Sequence, residues 1–506
     1  MSLPTRESKL RALFLGVLVG DALGAPLNGL KAGHIGQLVP GGWYDEYLQP
    51  ETAVLQPEKP NRNHLPGLHS ALGTAFLAFC GCRTDAVTTQ HASARAAKAL
   101  VDLAANTVPH AEDFPHLTGH LRKPGKPLRE ALERWGADFP WEPAEHLAQE
   151  QSSEGAFPCV PALAVLLNAD LTDTLTPIPD FDVAPAVAVA RFTHLRESSL
   201  VAAAVIVEAA RLLLDCPDGK RLDAKATARA LHAYARATED RLRKGELPNR
   251  WSELGWGFPV QRFSECLSPL VSLLDVEDLG LVEKTLVKQA AEFQPDRPVT
   301  HLQHGFAPIL IPWVLLKVLG PDSHSAAVED VLNRGGETSL AAALVSGLLG
   351  ARYGMEHLRE EWLAGLRIRR EAEALLDSPG EAAEEAWSAA EVQLTTREEA
   401  FRKPLYERAK RDAPEALKPK KEKKPEPKLE PNRPTDKLPF APPPQLWLGT
   451  EAEAELAPWE KQRLKAERGR KRIDWKEQRR EHQRHLAEKQ AELGLNPEPF
   501  ISEEED

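Results

Sequence analysis

The sequence predicts an all-α fold, and three observations predict it. Ala- and Leu-rich stretches recur with helical period from about residue 9 to about residue 376. Clusters at Pro109, Pro124 to Pro127, Pro177 to Pro179 and Pro217 to Gly219 interrupt them at helix-to-loop spacing. No segment alternates apolar and polar residues as a half-buried strand would. Ser199 to Leu214 (SLVAAAVIVEAARLLL) and Ser339 to Gly350 (SLAAALVSGLLG) carry small or apolar residues on nearly every face. Helices of that kind are buried among other helices, so the expected architecture is a compact orthogonal multi-helix bundle.

The 42% hydrophobic content is enough for one large core, while 42 prolines and 27% charged residues place part of the chain outside it. The sequence divides into a helical domain at 1–376, a helical extension at 377–411, a Pro/Lys/Glu-rich disordered linker at 412–457, a charged helix at 458–494 and an acidic tail at 495–506. The linker has almost nothing to bury. A chain ending near residue 400 is therefore expected to melt within a few degrees of the full protein. The charged helix is rich in strong helix formers with opposite charges three and four residues apart. Its apolar residues Trp459, Leu464, Ile473, Trp475, Leu486 and Leu493 keep no sustained heptad, which argues against a coiled coil.

A net charge of -12 argues against nonspecific nucleic-acid binding by the chain as a whole and leaves room for a local basic patch. That patch would lie between Lys461 and Arg484, where interleaved glutamates make a solvated face the ordinary reading and an acidic partner or RNA the alternative. The five cysteines are odd in number and scattered through apolar stretches, as expected of reduced thiols in a cytoplasmic protein. Cys80 and Cys82 lack the two further ligands that zinc needs. No apolar run approaches the roughly 20 residues of a membrane-spanning helix, so no membrane partner is expected. Lys9 and Arg11 followed by Ala12 to Val19 imitate a signal peptide, but Asp21 interrupts the pattern.

Four elements carry a resemblance. Gly16 to Gly29 reads GVLVGDALGAPLNG; Thr193-His194 precedes an alanine-rich helix; Gly305-Phe-Ala-Pro308 leads through Ala327 to Val331; and Asn333 to Gly354 reads NRGGETSLAAALVSGLLGARYG, with Leu358 to Trp362 following. In this order they resemble the ADP-ribosylglycohydrolase superfamily over about residues 10 to 370. The resemblance implies a helical bundle of that type, and hydrolysis of an N- or O-glycosidic ADP-ribosyl bond with two magnesium ions. Those ions would be held by a Thr-Asp-Asp-Thr run and by two aspartates of a GGDTDT turn, with a glutamate after the first helix near the scissile bond.

Measured against that pattern, this chain departs from it. The best match to the Thr-Asp-Asp-Thr run is Ala71-Leu72-Gly73-Thr74; Glu337 and Ser339 stand at the two aspartate positions; and Asn28 stands at the glutamate. Arg83-Thr84-Asp85 is a rival match that reads better as the cap of the next helix. Glu337, Thr338 and Thr74 are thus the vestigial metal candidates, a poor set for a hard cation that prefers several carboxylates. On the substrate side, Ser153-Glu154-Gly155-Ala156-Phe157-Pro158-Cys159 matches a phrase that lines the ADP-ribose cleft in the family, with Gly155 kept and Cys159 where the family has an arginine.

The candidate ligand-binding residues are Asp21, Gly155 and His194, each with a structural alternative. His194 at the edge of a buried helix is the usual place for a structural histidine, and Asp21 can tie down neighbouring backbone. Glu337 can accept amides at the start of its helix, where negative charge is favoured. No catalytic residue is assigned. The expectation is a family member with lost or weakened hydrolysis that binds an ADP-ribose-like small molecule, with no cofactor, or with Mg2+ if activity is retained. An active hydrolase with an altered site, and docking of a protein or other acidic partner by the C-terminal tail, are the alternatives.

Overall fold

The computed structural model describes residues 4–412 apart from 40–41, 49–53, 57–61, 82–88, 106–118, 123, 138–154, 169–183, 217–221, 248–260, 294–298 and 322. The helices are α1 (Arg6–Gly24), α2 (Ala32–Leu38), α3 (Ala71–Gly81), α4 (Thr89–Ala105), α5 (Lys126–Ala137), α6 (Cys159–Ala162), α7 (Val165–Asn168), α8 (Ala184–Ala190), α9 (Glu197–Leu214) and α10 (Ala224–Arg243). They continue with α11 (Phe263–Leu267), α12 (Leu270–Leu273), α13 (Leu279–Ala291), α14 (Ala307–Leu319), α15 (His324–Arg334), α16 (Thr338–Tyr353), α17 (Glu360–Gly365), α18 (Arg369–Asp377) and α19 (Glu381–Asp412). Among the described residues the only extended pairings are two isolated bridges, Lys31 with Gly335 and Gly155 with Phe306. The fold is all-α, as the sequence predicts.

Two apolar helices from opposite ends of the domain form its centre. α1 and α16 run antiparallel with backbones touching, because their facing positions hold small residues at every fourth place. A Cβ built on Gly16 would lie 2.6 Å from the carbonyl oxygen of Ser346, one on Gly20 2.2 Å from that of Ala342, and one on Gly24 2.5 Å from that of Thr338. In the other direction, a Cβ on Gly350 would lie 2.3 Å from the carbonyl oxygen of Ala12. Each four-residue step along α1 therefore meets a four-residue step back along α16, and ridge-in-groove packing becomes backbone against backbone. Every residue of α1 from Ala12 to Gly24 is buried.

The length and apolar content of this helix correct one reading of the sequence. Arg6–Leu27 is long and apolar enough to cross a membrane, with mean hydropathy 1.6, although no single run in it is unbroken. In the structure 89% of its most apolar stretch is covered by the rest of the fold, as befits a core helix.

The chain falls into two units, Met1–Lys418 and Pro419–Asp506. The linker, charged helix and acidic tail expected at 412–506 lie outside the described residues, apart from Asp412. α19 occupies the stretch read as an extension and is bound to the domain by buried charge. Glu391 on α19 reaches Arg122 at 2.7 Å and His69 Nε2 at 2.5 Å, all three buried. Arg122 also donates to the His69 carbonyl at 3.0 Å and to Thr395 at 3.3 Å. Further along the helix, Arg402 pairs with Glu398 at 2.5 Å and donates to the Asn63 carbonyl at 2.7 Å. A cut near residue 400 would remove Arg402 and leave Glu398 buried without it, so a lowered midpoint is now expected for that boundary in place of an unchanged one.

Three outcomes follow from this packing. Gly20→Ala should lower unfolding free energy by about 1–3 kcal/mol or more through overpacking. Gly33→Ala, on α2 with no atom within 4 Å of the added Cβ, should be neutral or stabilising. Denaturant midpoints of the two variants check this pair. A chain ending at residue 412 should keep the parental melting midpoint, while one ending at residue 400 should melt clearly lower by calorimetry.

The third outcome concerns pH. Burial alone would raise the Glu391 carboxyl, but Arg122 and His69 outweigh it and hold it down to about 2, against an ordinary 4.5. A depressed carboxylate contributes stability that is fully present above pH 4.5 and is lost as pH falls towards 2. Stability measured across that window should fall less steeply in Glu391→Gln than in the parent, while Glu391→Ala should cost about 3–5 kcal/mol at neutral pH because Arg122 is left buried and unpaired.

Candidate functional site

Where α1 ends, its last turn brings an acidic side chain to the starts of two other helices. Asp21 is buried, and its carboxylate accepts from the Ser70 amide at 2.8 Å, the Ser70 hydroxyl at 2.8 Å and the Gly73 amide at 2.9 Å. It also accepts from the Ser339 hydroxyl in the first turn of α16. The hydroxyls of Ser70 and Ser339 lie 3.4 Å apart across it. Ser70 caps α3, its hydroxyl accepting from the Leu72 amide at 3.1 Å. One carboxylate thus ties α1, α3 and α16 at a single point. The sequence marks it as an acid in the apolar part of its helix, within the Gly20 to Gly24 phrase, and not by its partners.

The turn before α16 is fixed by glycine chemistry. Gly335 and Gly336 have φ of 75° and 82°, in the left-handed region that other residues avoid. Gly336 accepts from the Gly29 amide at 2.7 Å and donates to the Leu30 carbonyl at 2.7 Å, so this turn docks on the turn that follows α1. Asn28 is exposed beside it, which brings positions 28 and 337 to one pair of turns. Glu337 occupies the cap position of α16, but its side chain makes no capping hydrogen bond. The reading of Glu337 as an acceptor for its own helix is therefore not what the structure holds. The side chain lies instead against the 301–305 loop, 3.3 Å from a Cβ built on Gly305.

That loop links the second group of candidates. Gly305 accepts from the Ala156 amide at 2.9 Å, and Gly155 bridges Phe306. A Cβ on Gly155 would lie 2.6 Å from His194 Nε2, so the glycine backbone rests directly on the imidazole. His194 is buried, its Nδ1 lies 2.9 Å from the Thr193 hydroxyl, and its ring stacks on Phe157 with centroids 6.5 Å apart. Burial drops its pKa to about 3, so it is a neutral imidazole across the physiological range. Gly155, His194 and Glu337 therefore border one region through Gly305. Asp21 lies behind it, joined to its rim through Ser339.

The hydroxyls of the remaining candidates are engaged elsewhere. Thr338 donates to the Gly24 carbonyl at 2.8 Å. Thr74 donates to the Ser70 carbonyl at 3.2 Å and meets Glu391 at 3.3 Å, inside the Arg122 cluster. Leu72 is buried. Gly73 has no room for a side chain, since a Cβ there would meet Asp21 Oδ2 at 2.7 Å and His69 at 2.8 Å. Among the described residues no three His, Cys, Asp or Glu side chains are grouped to hold a metal ion. Cys159 is buried and its thiol is pushed far up by burial. Thr84, Asp85, Ser153 and Glu154 lie outside the described residues.

Two residues that the sequence analysis passed over stand at this region. His301 and His304 are exposed with ring centroids 5.7 Å apart, and a Cβ on Gly336 would lie 2.9 Å from His301 Cε1. Burial and His304 lower the His301 pKa, against Glu283 and Glu337. The only available signal was the His-x-x-His spacing just before Gly305. The arrangement offers hydrogen-bonding groups and imidazoles around half-buried turns, without a nest of carboxylates among the described residues.

A comparison with solved structures gives one described as an ADP-ribosylglycohydrolase-related protein complex, 20% identical, covering 76% of this chain and 99% of that one with a TM-score of 0.44. No curated protein matches the chain. The family model described as ADP-ribosylglycohydrolase matches residues 2–393, most of the helical domain. On that match, the chain belongs to the ADP-ribosylglycohydrolase family.

Proposed function

We propose that this protein keeps the helical scaffold of its family and acts by binding, with magnesium-dependent hydrolysis of ADP-ribosyl bonds lost or strongly weakened. The observation that carries this reading is the knot at Asp21. Both its oxygens are taken by protein donors, and those donors include Ser70 at the start of α3 and Ser339 at a position that the resemblance assigns to a metal-ligating aspartate. A hydrogen-bond knot here performs the tie between helices that bridging ions would otherwise make.

The donor set also fits magnesium poorly. Magnesium takes near-octahedral oxygen ligands and gives up its water reluctantly, so it needs carboxylates. Glu337 is the one carboxylate among the three vestigial candidates, the Thr338 hydroxyl is spent on the Gly24 carbonyl, and the Thr74 hydroxyl lies 3.3 Å from the Arg122 guanidinium. A cation as neighbour opposes a second cation. The half-buried region at Gly155, Gly305 and Glu337, where the resemblance places the cleft, is our candidate for binding an ADP-ribose-like small molecule.

A second reading, a hydrolase with an altered and metal-independent site, is favoured by His301 and His304 beside Glu337, imidazoles able to move a proton next to a carboxylate.

Hydrolysis of ADP-ribosyl-arginine and ADP-ribosyl-serine should be undetectable or very slow, and neither Mg2+ nor EDTA should shift the melting midpoint, since a ligand stabilises only a fold that binds it. Robust turnover abolished by EDTA would sink the main reading. Turnover indifferent to EDTA and lost in His301→Ala would establish the second.

A further inference from the structure

The start of α9 holds a buried charge cluster that the site above does not use. Glu197 lies in its first turn and is 2% exposed. The Oε1 atom accepts from Arg243 Nε on α10 at 3.0 Å, with Arg243 Nη2 also 3.0 Å away. The Oε2 atom is buried and has no hydrogen-bond partner among the described residues. A second buried carboxylate, Glu239 on α10, is close enough for its charge to act on Glu197. Glu239 accepts from the Ser264 amide at 2.8 Å and the Ser264 hydroxyl at 2.7 Å, at the start of α11. Arg262 lies 3.8 Å from Glu239 but donates to Asp240 at 2.7 Å.

Three carboxylates, Glu197, Glu239 and Asp240, thus meet two guanidiniums, Arg243 and Arg262. Asp240 takes most of Arg262 and is also acted on by Lys244 and Arg236. Among the described residues, Arg243 is the one guanidinium in hydrogen-bond contact with the inner pair, Glu197 and Glu239. Ionising both would leave a charged oxygen of Glu197 buried without a donor, beside a like charge. A proton on Glu197 removes both penalties. Burial raises the Glu197 carboxyl from 4.5 to about 7, with Glu239 adding to it, against the pull of Arg243 and Arg262. Burial raises Glu239 as well, against Ser264 and the same two arginines.

We propose that Glu197 carries a proton in the closed fold and that losing it to solvent is a switch, which frees the first turn of α9 from α10 and loosens the turn at Thr193 and His194 just before it. The path is short. Arg196 precedes Glu197, and its carbonyl starts the helix by accepting from the Ser199 and Leu200 amides at 3.0 and 3.1 Å. His194, two residues further back, is the imidazole on which the Gly155 backbone rests. A shift of the first turn therefore reaches the wall of the candidate region, whatever that region binds.

Hydrogen–deuterium exchange of the full chain at pH 5, 6, 7 and 8 tests this, read as protection factors so that the base-catalysed rise in exchange divides out. The closed state holds this proton more tightly than the open one, so its contribution is full below pH 4.5 and is lost as pH rises through about 7. With the open carboxyl at its ordinary 4.5, protection across Glu197 to Ile206 should fall about tenfold from pH 6 to pH 8. Glu197→Gln, a neutral mimic of the same shape, should keep the pH 6 protection throughout. Glu399 on α19 is also raised to about 7 by burial, so Glu399→Gln is the control and should leave the fall at α9 intact. If Glu197→Gln fails to fold, Glu239→Gln decides, because removing one like charge should move the fall to lower pH. Constant protection in the parent, a tenfold fall that persists in Glu197→Gln, or a fall at unchanged pH in Glu239→Gln would each overturn the proposal.

Discussion

The close approach of α1 to α16 is the constraint on which the rest of the domain depends. Glycine at 16, 20 and 24 lets two backbones touch, and that closeness sets the position of everything at the ends of the helices. With a side chain at Gly24, α16 would start further away and Ser339 would no longer reach Asp21. Without the glycines at 335 and 336, the turn before α16 could not fold back on Leu30. The site at this end is therefore a product of small residues, and the polar groups are arranged by what those residues permit.

A second set of ties works by charge. The buried Arg122, His69 and Glu391 join the start of α3 to α19, and desolvating such a group is tolerated only because each member has partners. The Asp21 knot lies on the other side of the same helix start. The segment from His69 to Thr74 is thus held between two polar clusters, one anionic at its centre and one containing a guanidinium.

Much of the fold was legible in the sequence. The apolar runs at Ser199 to Leu214 and Ser339 to Gly350 marked buried helices, and the glycine spacing of α1 and the Gly335-Gly336 turn carried the family. The site was only partly legible. Asp21 could be read as an acid that ties backbone, because a lone carboxylate in an apolar helix needs donors. Its partners Ser70 and Ser339 could not, since each is an ordinary residue in its own neighbourhood and they meet only after long-range folding. The buried charges of α19 were hidden for a similar reason, although a helix was expected there. Glu391, Glu398 and Arg402 look like a solvated charged helix in one dimension, and their burial depends on Arg122 and Asn63, far away in the chain. His301 and His304 have no periodic signal at all.

The antiparallel pairing of α1 with α16 has a consequence for how the chain reaches its native state. α1 is synthesised before its partner, which begins only at Thr338, and before the buried clamp at Glu391. Loops of this length must close before the central pairing forms, and their closure entropy opposes folding until that pairing is made. Until Thr338 to Tyr353 has emerged, the glycine-rich apolar face of α1 has no native surface to cover it. The same small residues that make the finished core tight leave the nascent chain with a long interval of exposed apolar surface, the condition under which larger proteins aggregate or engage chaperones.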